Sequence, residues 1–445
     1  MADAYDLILK GATVVNQDGT GVRDIAVSNG RIAAISTAAE PITGNAPDVI
    51  DCSGLHILPG VIDSQVHFRE PGLTHKEDLE TGSRAAVAGG VTVVFEMPNT
   101  NPLTTTREAL ADKVAAARGR MFCDFAFYVG ATRENIDEIP TLERLEASAG
   151  MKVFMGSSTG NLLVDDEGSL DRIIARLSRR AAFHSEDEDR LIAREGLRRP
   201  GDPTSHPEWR DVEAAMISTR RLVALAEKHR RRVHVLHIST GDEMAFLKDH
   251  REWASVEVTP NHLTLAAPEC YERLGTFAQM NPPVRDAAHQ ARIWQGVRDG
   301  TVDVLGSDHA PHTREEKHHA YPASHSGMTG VQTLVPIMLD HVNAGRLTLE
   351  RFVDLTSHGP QRLFGLTAKG RIAAGYDADF TIVDLKRRQT ITHGWIESRC
   401  GWTPFDGKEV TGWPVGTMIR GRRVMWDGEI LGPAHGDAVR FHEAG

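Results

Sequence analysis

The sequence VIDSQVH at residues 61–67 predicts a short buried strand that ends in polar side chains. Seven similar runs follow it: VTVVFEM (91–97), FCDFAFYV (122–129), MKVFM (151–155), AAFHS (181–185), VHVLHIS (233–239), ASVEVTP (254–260) and VDVLGSD (302–308). Helical stretches separate the runs, and this alternation is typical of parallel strands with crossover helices. Eight such strands in about 310 residues without a linker-like break favour a (β/α)8 barrel of the TIM type, with a doubly wound open sheet as the alternative.

Two of the intervening helices can be placed from their sequence. Residues 74–90, THKEDLETGSRAAVAGG, predict a helix with Thr74 as N-cap, Glu77 three residues later, and a stop at the glycine pair. Residues 211–232, DVEAAMISTRRLVALAEKHRRR, form the clearest amphipathic pattern. The basic run KHRRR at residues 228–232 is interpreted as the solvated carboxyl end of this helix.

Both ends of the chain differ from the middle. They contain alternating apolar residues between NG, DG and other glycine turns, as in DLILKGATVV, DIAVSNGRIAAIS and GRIAAGYDADFTIVDL. This pattern indicates antiparallel strands. We therefore expect one small β-sandwich domain formed by both chain ends, residues 1–56 and 369–445, beside a barrel of residues 57–368.

The composition excludes several classes of protein. The chain has 445 residues, is 40% apolar and 25% charged, and carries a net charge of −11. Its size allows a large core and excludes disorder as the main state. The acidic balance argues against nucleic acid or an anionic membrane as a standing partner. No apolar stretch approaches the ~20 residues of a membrane span, and the first residues lack a signal-peptide pattern, so we expect a cytoplasmic protein.

The four cysteines restrict the type of metal site. Cys52, Cys123, Cys270 and Cys400 are scattered without paired spacing, which predicts reduced thiols rather than a disulfide framework or a thiolate zinc site. Any metal is then expected to have nitrogen and oxygen ligands.

Polar side chains close several of the strand-like runs, at the end of the barrel where active sites lie. They are Gln65 and His67 on the first run, His184 on the fifth, His237 on the sixth, and Asp308 on the eighth, followed by His309 and His312, while Lys152 lies at the opening of the fourth run. A lone histidine is usually a hydrogen-bonded structural residue. The coincidence of histidine, aspartate and lysine at five strand positions predicts a hydrolytic divalent-metal site instead.

The expected chemistry follows from these residue types. Neutral imidazole and carboxylate suit Zn, Mn, Co or Fe, and a bound metal lowers the pKa of water toward neutrality. Asp308 can bind the metal and accept the proton of the attacking water. Lys152 is a poor ligand as a cation, but beside a divalent metal it can react with carbon dioxide to give a carbamate that bridges two metals. A structural ion pair of Lys152 is an equal alternative.

Several motifs together resemble the amidohydrolase superfamily and, within it, the class I dihydroorotases. They are DSQVHFREPGLTHKEDLETGSRAAVAGGVT, MPNTNP, MKVFM, FHSE, VLHIST, MNPPVR, SDHAPHTREEK and the terminal GYDADFTIVD. The similarity runs from about residue 5 to residue 430, and its most specific parts are HFREPG, NPPVR and DHAPHTREEK. It implies a cyclic-amide hydrolase that interconverts dihydroorotate and N-carbamoyl-aspartate in pyrimidine biosynthesis.

The resemblance also implies roles for single residues. His67, carboxylated Lys152 and Asp308 match the ligands of one metal, while Lys152, His184 and His237 match those of the other. One or two zinc ions are expected, with Mn, Co or Fe as alternatives, and Asp308 matches the proton-transferring residue.

The substrate contacts are implied in the same way. Arg69, Asn99 and His312 match the groups that hold the substrate carboxylate, and Asn281 matches a residue that hydrogen-bonds the ring. An arginine fork does suit a planar carboxylate. As structural alternatives, Arg69 can pair with Glu70 or Glu96, and Asn99 lies in a turn-prone stretch.

One residue departs from the family pattern. The first-strand motif has histidine at both ligand positions, whereas the first of them is Gln65 here. An amide oxygen is a weak ligand for Zn, so the outcomes are one weakly held metal, a mononuclear enzyme, or a protein without catalysis.

The sequence leaves two other functions possible besides that of a dihydroorotase. One is an allantoinase or hydantoinase-type cyclic amidohydrolase. The other is a non-catalytic homologue that serves as a scaffold for aspartate transcarbamoylase. We also expect a small-molecule substrate and a homo-oligomer, either a dimer or a tetramer. The polar segment after Asp308, up to Gly330, predicts either a lid or a plain surface loop.

Overall fold

The computed structural model describes residues 4–37, 40–157 and 162–442. The chain begins with five strands: β1 (Leu7–Asn16), β2 (Gly19–Ser28), β3 (Arg31–Ile35), β4 (Asp48–Asp51) and β5 (His56–Pro59). β2 and β3 are antiparallel and joined by Asn29 and Gly30, whose φ angles are 52° and 74°. Two successive positive φ angles are what a tight hairpin turn requires, which is why the Asn-Gly pair predicts it.

The middle of the chain supplies eight parallel strands that neighbour one another in chain order. They are β6 (Val61–Val66), β7 (Val91–Glu96), β8 (Asp124–Gly130), β9 (Ser148–Phe154), β10 (Ala181–His184), β11 (Val233–Val235), β12 (Ala254–Val258) and β13 (Val304–Leu305). A bridge between Val66 and His309 joins the first strand to the segment after the last. The predicted barrel is therefore confirmed.

Fifteen helices of the described chain connect or follow these strands. They are α1 (Leu79–Ala88), α2 (Arg107–Ala117), α3 (Ile139–Leu142), α4 (Glu167–Arg176), α5 (Glu188–Ala193), α6 (His206–Trp209), α7 (Val212–His229), α8 (Gly241–Lys248), α9 (Pro260–Thr264), α10 (Glu269–Leu274), α11 (Ala287–Asp299), α12 (Arg314–His318), α13 (Leu334–Asn343), α14 (Leu349–Val353) and α15 (Gly359–Phe364). None of them is both long and apolar enough to cross a membrane.

The predicted amphipathic helix is confirmed as α7, but the predicted start of α1 is wrong. The N-cap of α1 is Asp78 rather than Thr74, and its carboxylate accepts a hydrogen bond of 2.8 Å from the backbone N–H of Thr81. A cap needs a side-chain oxygen one turn from an unpaired N–H, and Asp78 meets that condition.

Four strands close the chain: β14 (Phe380–Thr390), β15 (Glu409–Ile419), β16 (Arg422–Trp426) and β17 (Glu429–Ile430). β5 pairs in parallel with β1 and antiparallel with β14, so both ends of the chain build one nine-stranded sheet. The expected small β unit from both chain ends is thus present.

An ionic cluster connects this sheet region with the barrel. Lys369 Nζ lies 2.8 Å from Asp124 at the start of β8 and 2.5 Å from Asp379 just before β14. All three side chains are buried, and the two carboxylates outweigh desolvation and raise the pKa of Lys369. Loss of one partner would leave a buried charge uncompensated, which makes this contact costly to break.

Candidate active site

The predicted site residues surround one cavity at the carboxyl ends of the barrel strands. Its lining includes Gln65, His67, Arg69, Asn99, Lys152, His184, His237, Asn281 and Asp308, together with Phe154, Ala310, Ser326 and Gly327. His312 lies directly behind this lining, with its Nε2 atom 3.3 Å from Arg69 Nη2. The lining encloses about 360 Å³ of empty space, including the opening to solvent.

Three of these residues have strained backbones. Arg69, His237 and Asp308 have φ angles of 65°, 37° and 48°, in the left-handed region that favours glycine. Such conformations cost of order 1–3 kcal/mol and concentrate at functional sites. His237 and Asp308 lie two and three residues beyond β11 and β13, so these turns aim their side chains into the barrel mouth.

His184 and His237 face each other across one side of the cavity. His184 Nδ1 lies 3.1 Å from His237 Nε2, and both rings are almost fully buried. His184 Nε2 lies 3.0 Å from Glu186 Oε2, close enough for electrostatic attraction although not aligned as a hydrogen bond. Burial lowers the pKa of both imidazoles, so both rings are neutral near pH 7.

His67 and Asp308 form the other side. His67 Nδ1 lies 2.8 Å from Asn99 Oδ1, and His67 Nε2 lies 3.2 Å from Asp308 Oδ1. Burial lowers the pKa of His67, so the ring has a single proton. If that proton is donated to Asn99, the lone pair of Nε2 faces a carboxylate oxygen. Two acceptors at this distance repel each other unless a proton or a metal ion lies between them.

Gln65 contributes a donor to this second side rather than a ligand. Its Nε2 donates a 3.0 Å hydrogen bond to Asp308 Oδ1, and its Oε1 is buried without a hydrogen-bond partner. Gln65 thus orients the carboxylate of Asp308. The unpaired amide oxygen is the single atom with which Gln65 can contact a cation.

Lys152 lies between the two sides. Its Nζ is 4.3 Å from the centroid of the Phe154 ring, and no described carboxylate lies within ion-pair distance. Burial lowers the pKa of Lys152 to about 7, although Asp308 and Glu257 act against it. The structural ion pair considered for Lys152 is therefore absent from the described residues. A neutral amine is also the form that adds to carbon dioxide.

These donors fit a divalent metal ion. Two ligands of a tetrahedral zinc ion, each 2.0–2.1 Å from it, are roughly 3.3–3.4 Å apart. The separations of 3.1 Å between His184 and His237 and 3.2 Å between His67 and Asp308 are close to this value. The set of neutral imidazoles, one carboxylate and one amine that burial partly deprotonates has the chemistry that zinc and related ions prefer.

A cationic group lies at the other end of the cavity. Arg69 donates from Nε to the backbone oxygen of Pro311 at 3.1 Å, while its Nη1 is buried without a hydrogen-bond partner. Glu70 pairs with Arg120 and Glu96 with Lys113, so neither expected structural alternative accounts for Arg69. Burial lowers the pKa of Arg69 to about 10, which leaves it charged at neutral pH.

The barrel sequence also matches a known family over most of its length. The amidohydrolase family model covers residues 56–424. The chain belongs to the amidohydrolase family. This amidohydrolase is 35% identical over 436 residues to a dihydroorotase of Methanosarcina acetivorans, with 95% of this chain and 92% of that protein covered.

Two further relatives show the same full-length similarity. A dihydroorotase of Halobacterium salinarum is 36% identical over 424 residues, covering 94% of the amidohydrolase and 97% of that protein. Among solved structures, the L-hydantoinase (dihydropyrimidinase) of Arthrobacter aurescens has a TM-score of 0.93 and 31% identity, with 98% of this chain and 99% of that chain covered. The chain is therefore a cyclic-amide hydrolase of a metal-dependent family.

Asn281 of the amidohydrolase lines the cavity as expected. Its Oδ1 lies 3.0 Å from His206 Nε2, which also contacts the backbone oxygen of Met280 at 3.1 Å. Burial lowers the pKa of His206 to about 3, so the neutral ring acts as a donor through Nε2. His206 fixes the amide of Asn281 and was not expected from the sequence.

Lys76 is a second residue that the sequence did not indicate. Its Nζ lies 3.1 Å from His312 Nδ1 and 3.0 Å from Glu316 Oε1. Because lysine only donates, His312 accepts at Nδ1 and donates from Nε2 to the backbone oxygen of Ser326, 3.1 Å away. Lys76 lies four residues after HFREPG, within the longer quoted motif, and this position was the available signal.

One compact group of ligand atoms lies outside the predicted metal site. His312, Glu316 and His325 have ligand atoms within 4.8 Å of one another. Lys76 and Arg69 both contact His312, and two cations so near disfavour a third. We therefore interpret this group as part of a positively charged wall and not as a metal centre.

Proposed function

We propose that this amidohydrolase is a dihydroorotase, which hydrolyses the cyclic amide of dihydroorotate to N-carbamoyl-aspartate in pyrimidine biosynthesis. The observation that carries the proposal is the buried guanidinium of Arg69, whose Nη1 has no protein partner. A buried, unpaired charge is expensive unless a ligand compensates it. Dihydroorotate bears a carboxylate on its ring, which supplies that compensation.

Three side chains would hold this carboxylate together. Arg69 supplies the guanidinium, Asn99 supplies an amide, and His312 stands against Arg69 with its tautomer set by Lys76. Asn281, fixed by His206, would hydrogen-bond the ring. Charge-assisted contacts of this kind are stronger than neutral ones and give the site its preference for an acidic substrate.

Five side chains would hold the metal. His184, His237 and Lys152 form one group, and His67, Asp308 and the same Lys152 form the other. Zinc suits these donors best, with Mn, Co or Fe as alternatives. We infer that Lys152 is carboxylated: its neutral nitrogen attacks carbon dioxide, and the product loses a proton to give a carbamate with two ligand oxygens. When bound, the metal lowers the pKa of water and polarises the amide carbonyl.

Asp308 would move the proton in this reaction. Its carboxylate accepts a proton as water adds to the ring carbonyl carbon, and it then delivers that proton to the ring nitrogen as the C–N bond breaks. The hydrogen bond from Gln65 Nε2 and the contact with His67 hold the carboxylate in place. The burial of Asp308 keeps bulk water away from the transferred proton.

The L-hydantoinase similarity supports a second candidate function, the opening of hydantoin-type rings. Hydantoin has no ring carboxylate, so Arg69 distinguishes the two functions. The purified protein should open dihydroorotate, and Arg69→Met should reduce kcat/KM for dihydroorotate by about 100-fold while affecting hydantoin little. Turnover of hydantoin or allantoin without turnover of dihydroorotate would contradict the proposal.

A matched variant separates the chemistry from substrate binding. Asp308→Asn should abolish turnover of every cyclic amide while the circular dichroism spectrum and melting temperature stay close to those of the parent protein. Full activity of Asp308→Asn would contradict the proton-transfer role of Asp308.

The metal content of the purified protein tests the scaffold alternative. A protein that holds no metal and opens no ring, even when it is produced in zinc-supplemented medium, would favour the scaffold for aspartate transcarbamoylase. Sedimentation of the same sample tests the expected dimer or tetramer.

A further inference from the structure

A second cavity lies at the amino ends of the barrel strands, on the face opposite the active site. Its walls come from residues 178–180 before β10, residues 230–232 before β11, and residues 362–365 at the end of α15. We name it the basic basin after its six arginines: Arg179, Arg180, Arg230, Arg231, Arg232 and Arg362. It encloses about 1050 Å³, including space open to solvent.

The arginines of the basic basin carry far more positive charge than nearby carboxylates neutralise. Among the described residues, Arg362 is the one arginine of the six with an ion pair, 3.7 Å from Asp303 Oδ1. Asp303 is shared with Arg251, whose Nη2 is nearer at 3.0 Å. Such a concentration of guanidinium groups stands out in a chain whose net charge is −11.

Several of these guanidinium groups have unused hydrogen-bonding capacity. Arg180 donates through a single nitrogen, Nη1, to the backbone oxygen of Val233 and to Ser255 Oγ. Arg231 Nε is buried with no hydrogen-bond partner. Burial, together with repulsion from Arg232 and Arg362, lowers the pKa of Arg180 to about 10, although Asp303 acts against it. An anion in the basin would relieve this repulsion.

The basic run 228–232 thus divides into two parts. Lys228 and His229 each lie 2.7 Å from Asp171 Oδ1, so they tie the end of α7 to α4. Arg230, Arg231 and Arg232 line the basin, where Arg230 and Arg232 are exposed and Arg231 is half-buried. The expectation of a solvated helix end is confirmed at Lys228, Arg230 and Arg232, which are exposed.

We propose that the basic basin binds a compact anion with two or more phosphate groups. Guanidinium forks match phosphate oxygens in pairs, and several forks around one concave site favour a small polyanion of high charge. An extended nucleic acid would need a basic stripe across the surface, which a single basin does not offer. The ligand is inorganic polyphosphate or the phosphate chain of a nucleotide, which share this chemistry.

The test is a calorimetric titration of the purified full-length enzyme with inorganic tripolyphosphate at low ionic strength. One saturable site per chain is expected, with affinity that falls as salt is added. Arg180→Gln and Arg232→Gln should each weaken binding by roughly tenfold, because each removes charge-assisted hydrogen bonds. Arg232 is exposed, so its replacement tests the basin even if Arg180→Gln folds poorly.

Arg107→Gln is the matched control, since Arg107 is an exposed arginine at the start of α2, away from the basin. The affinity of the Arg107→Gln variant for tripolyphosphate should equal that of the parent protein. Adenosine triphosphate serves as the second probe: binding as tight as tripolyphosphate or tighter supports a nucleotide, and much weaker binding supports inorganic polyphosphate. Absence of saturable tripolyphosphate binding, or equal losses in Arg107→Gln and Arg232→Gln, would overturn the proposal.

Discussion

The two sides of the candidate active-site cavity place different donor atoms at similar separations. On one side, His184 and His237 bring two imidazole nitrogens to within 3.1 Å. On the other, His67 lies 3.2 Å from Asp308, and Gln65 donates to the same carboxylate oxygen. The first side offers two neutral ligands, whereas the second offers one imidazole and a carboxylate that is already hydrogen-bonded.

This difference indicates how Gln65 is accommodated. The amide nitrogen of Gln65 donates to Asp308 and stabilises its carboxylate. The other side offers two imidazole nitrogens, which are stronger metal ligands than the amide oxygen of Gln65. We infer that the side of His184 and His237 binds a metal more tightly than the side of Gln65. Lys152 belongs to both sides, so its carboxylation would couple them.

The largest expected effect comes from the removal of a ligand on the tighter side. His237→Ala should lower metal affinity by at least about 100-fold and abolish ring opening, because replacement of even a supporting residue can cost that much. Metal content after dialysis, measured by mass spectrometry, checks this. His341→Gln is the control, since His341 is a buried histidine bound to Thr264 outside the cavity. Normal metal content in His237→Ala would refute the assignment of the tighter side.

Gln65→His should strengthen the weaker side. A second imidazole replaces a weak amide ligand, so metal content should rise from about one ion per chain to about two. Gln65→Leu, which removes both the donor and the amide oxygen, should keep about one ion. If Gln65→His instead holds less metal and loses activity, the hydrogen bond from Gln65 to Asp308 is the essential feature of this side.

Lys76→Met tests the cationic end of the cavity, which lies apart from the His184–His237 and His67–Asp308 sides. The loss of its contact with His312 should raise KM for dihydroorotate about tenfold with little change in kcat, because charge-assisted hydrogen bonds contribute about 1.5–3 kcal/mol. Steady-state kinetics measure this, and Lys10→Met, at an exposed position of β1, is the control. Equal loss of hydantoin turnover would show that Lys76 supports the fold rather than carboxylate binding.

Glu243→Gln should change stability rather than activity, since Glu243 lies outside the cavity lining. Burial raises the pKa of Glu243 to about 7, although Thr240 and Thr219 donate to its carboxylate. Between the unfolded value near 4.5 and about 7, the folded state keeps a proton that the unfolded state has lost. Stability from this group therefore falls as pH rises through that range.

The amide of Glu243→Gln does not titrate, so the variant does not lose this stability as the pH rises. Relative to the parent protein, the variant should gain roughly 1–3 kcal/mol of unfolding free energy between pH 5 and pH 8. Urea unfolding at the two pH values measures the difference. A constant difference between the two proteins across this range would mean that the carboxyl of Glu243 titrates normally.

Much of the fold and of the site was predictable from local patterns. Eight apolar runs, several of them closed by polar residues, determine a parallel barrel, and such a barrel brings strand ends to one rim. His67, Lys152, His184, His237 and Asp308 were therefore expected to meet, and the structure places them around one cavity. The N-cap of α1 was predicted at Thr74, whereas the structure places it at Asp78, whose carboxylate accepts from the backbone N–H of Thr81.

Sequence patterns did not indicate the contacts between distant segments of the chain. Lys76 contacts His312 across 236 positions of the chain, and His206 contacts Asn281 across 75. The basic basin is assembled from three separated segments, and the sequence drew attention to one of them, the basic run at 228–232.

The sequence by itself determined the barrel, the family and the types of ligand, because hydrophobic periodicity and residue chemistry are local properties. Tertiary structure alone decided the direction in which Gln65 points its amide, the tautomer of His312 and the convergence of the arginines. The physical reason is that hydrogen bonds and charge interactions act over a few ångströms. They are settled only after chain closure brings distant residues into contact.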